Sequence, residues 1–194
     1  MDQELITIVS GLPRSGTSMM MKMLDVGGMP VLIDNLRTAD EDNPKGYYEF
    51  EHVKQIEHDQ AWLDDAQGKV VKMIAALLKH LPPSYRYRIV YMRRNIEEVL
   101  ASQRQMLIRR GEPTNTISDE KMAGLFAKHV EQVEARLEEQ PNMEVLYVHY
   151  CDVLANPREQ AARVNQFLGN VLDEQKMVAV VDETLYRQRR ERKF

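Results

Sequence analysis

The stretch "LITIVSGLPRSGTSMMMKML", residues 5–24, joins an apolar run to a glycine-containing turn and then to a helix-forming segment. The β-branched run "LITIV" is typical of a strand buried on both faces. Because Gly11 and Gly16 break it just before "TSMMMKMLDV", we expect the chain to turn directly from a strand into a helix N-terminus. Such a turn points backbone N–H groups and the positive end of the helix dipole at one spot. The stretch therefore predicts a phosphate-binding loop.

This loop differs from the common nucleotide-binding loop in the position of its cation. Gly11 and Gly16 have the expected spacing, but Thr17 stands where that pattern requires lysine. Arg14 instead supplies a permanent positive charge, and its guanidinium can hold an oxyanion with two hydrogen bonds. The residues predicted to bind the anion are Pro13, Arg14, Ser15, Gly16, Thr17 and Ser18.

The composition predicts one domain, residues 1–194, because 194 residues with 43% hydrophobic content can form a single sizeable core. The net charge of −4 provides no global basic field, so we expect no nucleic-acid or membrane partner. A single cysteine, Cys151, excludes an internal disulfide and suits a reducing compartment. No apolar run of about 18 residues predicts a membrane span, and "MDQELITIVS" does not have the pattern of a signal peptide. We therefore expect a cytoplasmic protein.

Strand-like and helix-like segments alternate along the chain. The strand candidates are residues 5–9, 30–33, 69–74, 87–92 and 144–150. The helix candidates are residues 17–26, 52–66, 95–110, 118–140 and 157–169. This alternation predicts an α/β fold with a parallel central sheet and helices on both faces. We expect roughly four to six strands, with the anion site at their carboxyl ends.

The segment "RNIEEVLAS", residues 94–102, predicts a second group that binds an anion. Arg94 follows an apolar strand, and Ser102 lies about two turns along the next helix, so the two side chains can hold a further phosphate. A kinase or nucleotide hydrolase would need the loop lysine, and usually an acid at the end of a later strand to bind Mg²⁺. Here "RIVYM" ends in Arg93 and Arg94. The pattern favours a second anion site and no metal site.

Four motifs taken together resemble the sulfotransferase family, whose members use 3′-phosphoadenosine 5′-phosphosulfate (PAPS). They are "GLPRSGTS", "KVVKMIAALLKHLP", "RNIEEVLAS" and "YCDVLANPREQAARVNQFLG", spread over residues 11–169. Two positions depart from the family pattern, since Ile96 replaces a usual proline and Cys151 a usual acid. The resemblance implies the P-loop nucleotide-hydrolase-like sulfotransferase fold over the single domain.

The resemblance also implies roles for particular residues. Arg14 and its loop are similar to the part that binds the 5′-phosphosulfate, while Arg94 and Ser102 match the ligands of the 3′-phosphate. Lys72 matches the lysine that contacts the transferring sulfonate. The implied reaction moves a sulfonate from PAPS to a hydroxyl or amine and leaves 3′,5′-ADP, with Arg14 and Lys72 neutralising the leaving phosphate and no metal required.

The general base is less clearly indicated. The cytosolic branch of the family has a histidine two residues after the lysine, where this chain has Ile74. In the protein-tyrosine and heparan branches an acid after the second strand takes the proton. Asp34 matches that placement and is ranked first, and Glu49 is ranked second. Two further candidates, Glu51 and His52, rank below them.

Two other functions stay open at this point. A P-loop kinase for small molecules is disfavoured by Thr17 and Arg94, and a non-catalytic nucleotide-binding relative is suggested by Ile74. We expect a small-molecule, glycan or peptide acceptor, with a partner or homodimer completing its pocket in so short a chain. The basic tail is a further candidate for binding the 3′-phosphate, through Arg187, Arg189 or Arg190.

Overall fold

The computed structural model describes residues 4–34, 36, 46–114 and 117–182. Four strands form one parallel sheet in the order β2-β1-β3-β4. They are β1 (Leu5–Gly11), β2 (Val70–Lys72), β3 (Arg86–Arg93) and β4 (Met143–His149). The prediction of an α/β fold with a parallel sheet of four to six strands is confirmed.

Helices cover both faces of this sheet, as the sequence predicts. The α-helices are α1 (Thr17–Val26), α2 (Trp62–Ala66), α3 (Ile96–Arg109), α4 (Asp119–Glu138), α5 (Tyr150–Ala155), α6 (Pro157–Phe167) and α7 (Glu174–Ala179). On one face, strand residues such as Val9 and Val90 pack against α1, α5, α6 and α7. On the other face, residues such as Ile8 and Ile89 pack against α2 and against Leu137 of α4. Every residue of β1 is buried, which explains its unbroken apolar run.

The predicted strand at residues 30–33 is wrong. Only Val31 pairs with the sheet, in an isolated parallel bridge to Val70. The Val70 N–H donates to the Pro30 carbonyl at 2.8 Å, and the Leu32 N–H donates to the Val70 carbonyl at 2.9 Å. Because the facing strand β2 is only three residues long, no longer ladder forms. Of the predicted strand 69–74, the structure forms the three residues of β2 as strand.

The predicted helix at residues 52–66 is also wrong as one unit. The chain forms a 3₁₀-helix at Glu51–Gln55 and then α2. The Asp59 carboxylate accepts the Ala61 N–H at 3.1 Å, a local turn that competes with a continuous helix. Two short helices, α5 and α7, were not predicted, and residue 150 begins α5 instead of ending the strand.

Several helix ends agree with the sequence signals. The Ser118 hydroxyl caps α4 by accepting the Lys121 N–H at 3.3 Å, and the Asn95 side chain caps α3 by accepting the Glu97 N–H at 2.9 Å. Gly27 ends α1, and Pro157 begins α6. In the described part of the chain, no helix combines the length and apolar character needed to cross a membrane.

The strand order determines where ligands can bind. From β1 the chain passes to β2 on one side of β1, and from β2 it crosses to β3 on the other side of β1. A crevice opens at such a switch point, beyond the carboxyl ends of the strands. The loop after β1 and the residues after β3 meet beyond these carboxyl ends.

Candidate active site

The loop between β1 and α1 has the geometry of an anion site. The backbone has φ 146° at Gly11 and φ 97° at Gly16, a region that glycine occupies readily. Gly16 precedes α1 without a side-chain cap, so the first N–H groups of the helix have no partner from that source. The Ser15 hydroxyl is buried and has no hydrogen-bond partner among the described residues. An oxyanion in the loop would satisfy these donors.

The packing around Gly16 leads to a stability prediction. A Cβ atom at Gly16 would lie 2.5 Å from Cδ2 of the Tyr150 ring, and φ is unfavourable for any other residue. We therefore expect Gly16→Ala to lower the free energy of unfolding by about 1–3 kcal/mol. Thermal melting measures this, with Gly28→Ala as the comparison, because a Cβ there meets nothing within 4 Å although its φ of 103° is also positive. Equal destabilisation by both changes would show that the Tyr150 contact does not matter.

Arg14 and Arg94, which the sequence assigns to two different phosphates, lie side by side. The Arg14 Nε donates a hydrogen bond to the Ser102 hydroxyl at 3.0 Å. A guanidinium N–H of Arg94 donates to the Arg14 carbonyl, also at 3.0 Å. Arg14 has a left-handed backbone, φ 70°, a conformation that costs about 1–3 kcal/mol and persists only where contacts hold it. The structure thus brings Arg14, Arg94 and Ser102 together at one site.

Two further residues, not predicted as site residues, hold Arg94 in place. Its Nε donates to the Glu98 carboxylate at 3.1 Å, and the two side chains are only 9% and 10% exposed. Its guanidinium carbon lies 4.5 Å from the centroid of the Tyr150 ring. Burial raises the pKa of Tyr150, against the opposing effect of Arg94. The spacing of four residues between Arg94 and Glu98 was a signal available in the sequence.

Lys72, the last residue of β2, connects the loop helix to the segment at residues 46–50. Its ammonium group donates to the Ser18 hydroxyl at 3.4 Å and also to the Tyr47 carbonyl. The Glu49 carboxylate lies 3.6 Å from the same ammonium group. The Lys72 side chain is only 11% exposed, so these contacts fix its position. A cation, a hydroxyl and a carboxylate therefore meet beside the loop.

Asp34 is engaged by backbone donors. One carboxylate oxygen accepts the Glu51 N–H at 2.6 Å, and the other accepts the Leu36 N–H at 3.0 Å. Burial opposes the charge, but these backbone hydrogen bonds outweigh it and hold the pKa of Asp34 below its usual value. The Asp34 N–H in turn donates to the Glu49 carbonyl at 3.2 Å. Through these backbone hydrogen bonds, Asp34 holds in place the segment that carries Glu49.

The other two candidates for the base are placed less favourably. The Glu51 carboxylate pairs with Lys54 at 2.7 Å, on the exposed side of the 3₁₀-helix. His52 is exposed, and its ring centroid lies 5.1 Å from that of Phe50. Ile74, where the cytosolic branch has histidine, is 47% exposed. Arg187, Arg189 and Arg190 lie outside the described residues.

Comparison with protein families finds a match over nearly the whole chain. The model of the family described as "Sulfotransferase domain" matches residues 6–194. A search for similar sequences among proteins of curated function finds no match. No group of three or more His, Cys, Asp or Glu side chains that could hold a metal ion occurs within the described ranges.

Several solved structures share the fold at low sequence identity. The mouse sulfotransferase SULT7A1 complexed with PAP is 15% identical with a TM-score of 0.61, and the match covers 98% of this chain and 69% of that one. STF9 from Mycobacterium avium is 13% identical with a TM-score of 0.55, covering 98% and 70%. A sulfotransferase from Alicyclobacillus acidocaldarius is 16% identical with a TM-score of 0.51, covering 95% and 96%. At such identities these similarities concern the fold alone.

Proposed function

The chain belongs to the sulfotransferase domain family, and we propose that it transfers a sulfonate group from PAPS to a hydroxyl or amine acceptor. The observation that carries the proposal is the meeting of Arg14, Arg94 and Ser102 at the phosphate loop, with Lys72 beside the same helix. The mouse relative was crystallised with PAP, which is the product 3′,5′-ADP. This supports PAPS as the donor.

The residues present fit such a donor. The uncapped start of α1 suits the 5′-phosphosulfate, and so does the buried Ser15 hydroxyl, which has no hydrogen-bond partner in the described part of the chain. Arg94 and Ser102 suit the 3′-phosphate, and Arg94 is already oriented by Glu98. The predicted loop ligands, which are Pro13, Arg14, Ser15, Gly16, Thr17 and Ser18, all stay predictions. We assign Ser18 a second contact, since its hydroxyl accepts from Lys72.

In the proposed reaction the acceptor oxygen attacks the sulfur, and the bond from sulfur to the bridging phosphate oxygen breaks on the opposite side. The sulfonate joins the acceptor, the electron pair stays on the phosphate, and the acceptor proton goes to a protein base. Arg14, Lys72 and the loop N–H groups face the charge that develops on the leaving oxygen. Catalysis then depends on positioning and electrostatic stabilisation.

We infer that Glu49 is the base, which reverses the order expected from the sequence. Its carboxylate lies 3.6 Å from the Lys72 ammonium, so it stands beside the group that contacts the sulfonate. Both carboxylate oxygens of Asp34 instead accept hydrogen bonds from backbone N–H groups, and the lowered pKa of Asp34 makes it a weaker base. The geometry of the two carboxylates and the lowered pKa of Asp34 therefore favour Glu49.

The donor assignment predicts selectivity for the 3′-phosphate. We expect 3′,5′-ADP to bind without magnesium at least about tenfold more tightly than adenosine 5′-monophosphate, because one charge-assisted hydrogen bond contributes about 1.5–3 kcal/mol. Calorimetry or thermal shift measures both affinities. In Arg94→Ala the preference should disappear. Arg88→Ala is the control, since Arg88 lies on β3, the strand that Arg94 follows, and pairs with Glu144. A preference that survives in Arg94→Ala would overturn the assignment.

Other aspects of the function stay predictions. These are a single domain spanning residues 1–194, a cytoplasmic location, a homodimer, independence of metal ions, and a small-molecule, glycan or peptide acceptor. Family membership favours sulfonate transfer over the kinase alternative. A non-catalytic relative would bind 3′,5′-ADP and transfer nothing.

A further inference from the structure

Tyr48 lies in the sequence between Tyr47 and Glu49, which both contact Lys72. Its own side chain contacts a different element, helix α1. The Tyr48 hydroxyl donates a hydrogen bond of 2.8 Å to the Asp25 carboxylate. Asp25 lies near the end of α1, the helix that starts at the phosphate loop. On either side, the Tyr47 carbonyl accepts from Lys72 and the Glu49 carboxylate lies 3.6 Å from it. The three consecutive residues therefore connect α1 to the end of β2.

The backbone at Tyr48 is unusual for a bulky residue. Its φ is 54°, in the left-handed region, and Gly46 two residues earlier has φ 90°. A non-glycine residue keeps such a conformation only where surrounding contacts hold it. The bond to Asp25 is one such contact, and the half-buried ring adds packing against the core around α1. If the ring is released, the backbone can relax towards negative φ. That rotation would shift the Glu49 carboxylate relative to the Tyr47 carbonyl, and Lys72 contacts both groups.

The hydroxyl of Tyr48 is a dependable donor. Burial raises the pKa of Tyr48, and the hydrogen bond and negative charge of Asp25 raise it further. The phenol therefore stays protonated at neutral pH and remains available to donate to Asp25.

We propose that Tyr48 is a positioning residue, which through its bond to Asp25 holds Glu49 in the place where it takes the acceptor proton. The proposal rests on the proposed function, because it assigns Glu49 the role of base. It extends the site to Asp25, which lies near the end of α1 opposite the loop. We assign Tyr48 no contact with donor or acceptor. Because its hydroxyl bonds to Asp25, we expect its effect on transfer to come from the placement of Glu49.

The test is a double-mutant cycle on the full chain. Tyr48→Phe removes only the hydroxyl, and we expect kcat for sulfonate transfer to fall about fivefold to fiftyfold, with the Kd of 3′,5′-ADP changed less than twofold. In the Glu49→Gln background, Tyr48→Phe should cause no further loss. Asp25→Ala should reproduce the loss, whereas Asp25→Asn, which keeps an acceptor oxygen, should restore most of the activity.

A matched control exists at the other end of the sheet. Tyr85, which precedes β3, donates a hydrogen bond of 2.6 Å to the Asp64 carboxylate. Tyr85→Phe removes the same kind of bond and should leave kcat unchanged. The melting temperature of each variant is measured alongside. If Tyr48→Phe melts below the assay temperature, the contrast between Asp25→Ala and Asp25→Asn provides the same decision.

The outcomes separate this proposal from the function beneath it. If the wild type transfers sulfonate while Tyr48→Phe keeps full activity, or loses equal activity with and without Glu49, the positioning role is overturned and the function stands. If the wild type binds 3′,5′-ADP and transfers nothing, the proposed function fails, and the positioning role fails with it.

Discussion

Glu49→Gln is expected to lower kcat for sulfonate transfer by about 10²–10⁴-fold, the usual contribution of a positioned general base. The affinity for 3′,5′-ADP should change by less than about twofold from that of the wild type. The reason is that the base removes a proton from the acceptor and not from the donor nucleotide. The measurement is transfer of labelled sulfonate from PAPS to a mixed pool of phenols, sugars and peptides, with nucleotide binding measured separately.

Asp34→Asn is the comparison for this experiment. The structure places Asp34 against the backbone of Glu51 and Leu36, so the amide should weaken the fold of the segment but retain transfer. If Asp34→Asn abolishes transfer and Glu49→Gln retains it, the order expected from the sequence is correct and ours is wrong. If both variants retain transfer, Glu51 and His52 are the next candidates.

Lys72→Ala should lower kcat by about 10²–10³-fold, comparable to the loss of one donor from an oxyanion site. Its ammonium group is expected to act on charge that develops on the leaving phosphate, so the affinity for 3′,5′-ADP should fall much less than kcat. Lys79→Ala is the control, because Lys79 is an exposed lysine in the 3₁₀-helix Ala75–His80 that follows β2. The kcat for sulfonate transfer and the Kd of 3′,5′-ADP are measured on the same preparation of each variant.

A comparison with Arg14→Ala sharpens this result. Arg14 belongs to the loop that we propose holds the 5′-phosphate before any reaction occurs, so its removal should weaken binding and transfer together. Equal losses of binding and of kcat in Lys72→Ala would show that Lys72 contributes to ground-state binding instead. Wild-type protein that binds 3′,5′-ADP and transfers to no acceptor would identify the chain as a non-catalytic member of its family.

Local sequence signals were sufficient for most of the fold. The apolar runs predicted β1, β3 and β4, because strands buried on both faces carry uninterrupted hydrophobic sequence. Caps such as Ser118 and breakers such as Gly27 predicted helix ends, since these depend on a few neighbouring residues. The errors fall at residues 30–33 and 52–66, where a short partner strand and an Asp59 turn decide the outcome. Neither is visible from hydrophobic periodicity.

The relative positions of the candidate site residues were predictable where those residues follow strands, and were less predictable elsewhere. Arg14 and Arg94 follow β1 and β3, and parallel pairing alone brings those strand ends together. Tyr48 and Asp25 could not be paired from the sequence, because their contact depends on how residues 46–50 return across α1. The same return fixes Glu49 beside Lys72. The choice between Asp34 and Glu49 is therefore a question of tertiary structure.

The strand order has a consequence for the newly synthesised chain. β1 leaves the ribosome first, yet its partners come much later, since Thr7 lies opposite Val70 and Leu5 lies opposite Arg86. At a translation rate of about 5–20 residues per second, this apolar strand waits several seconds for its first neighbours. β3 then waits for β4, where Tyr87 meets Met143. We expect nascent chains that stop before β3 to expose "LITIVSG" and to bind chaperones that recognise extended hydrophobic segments.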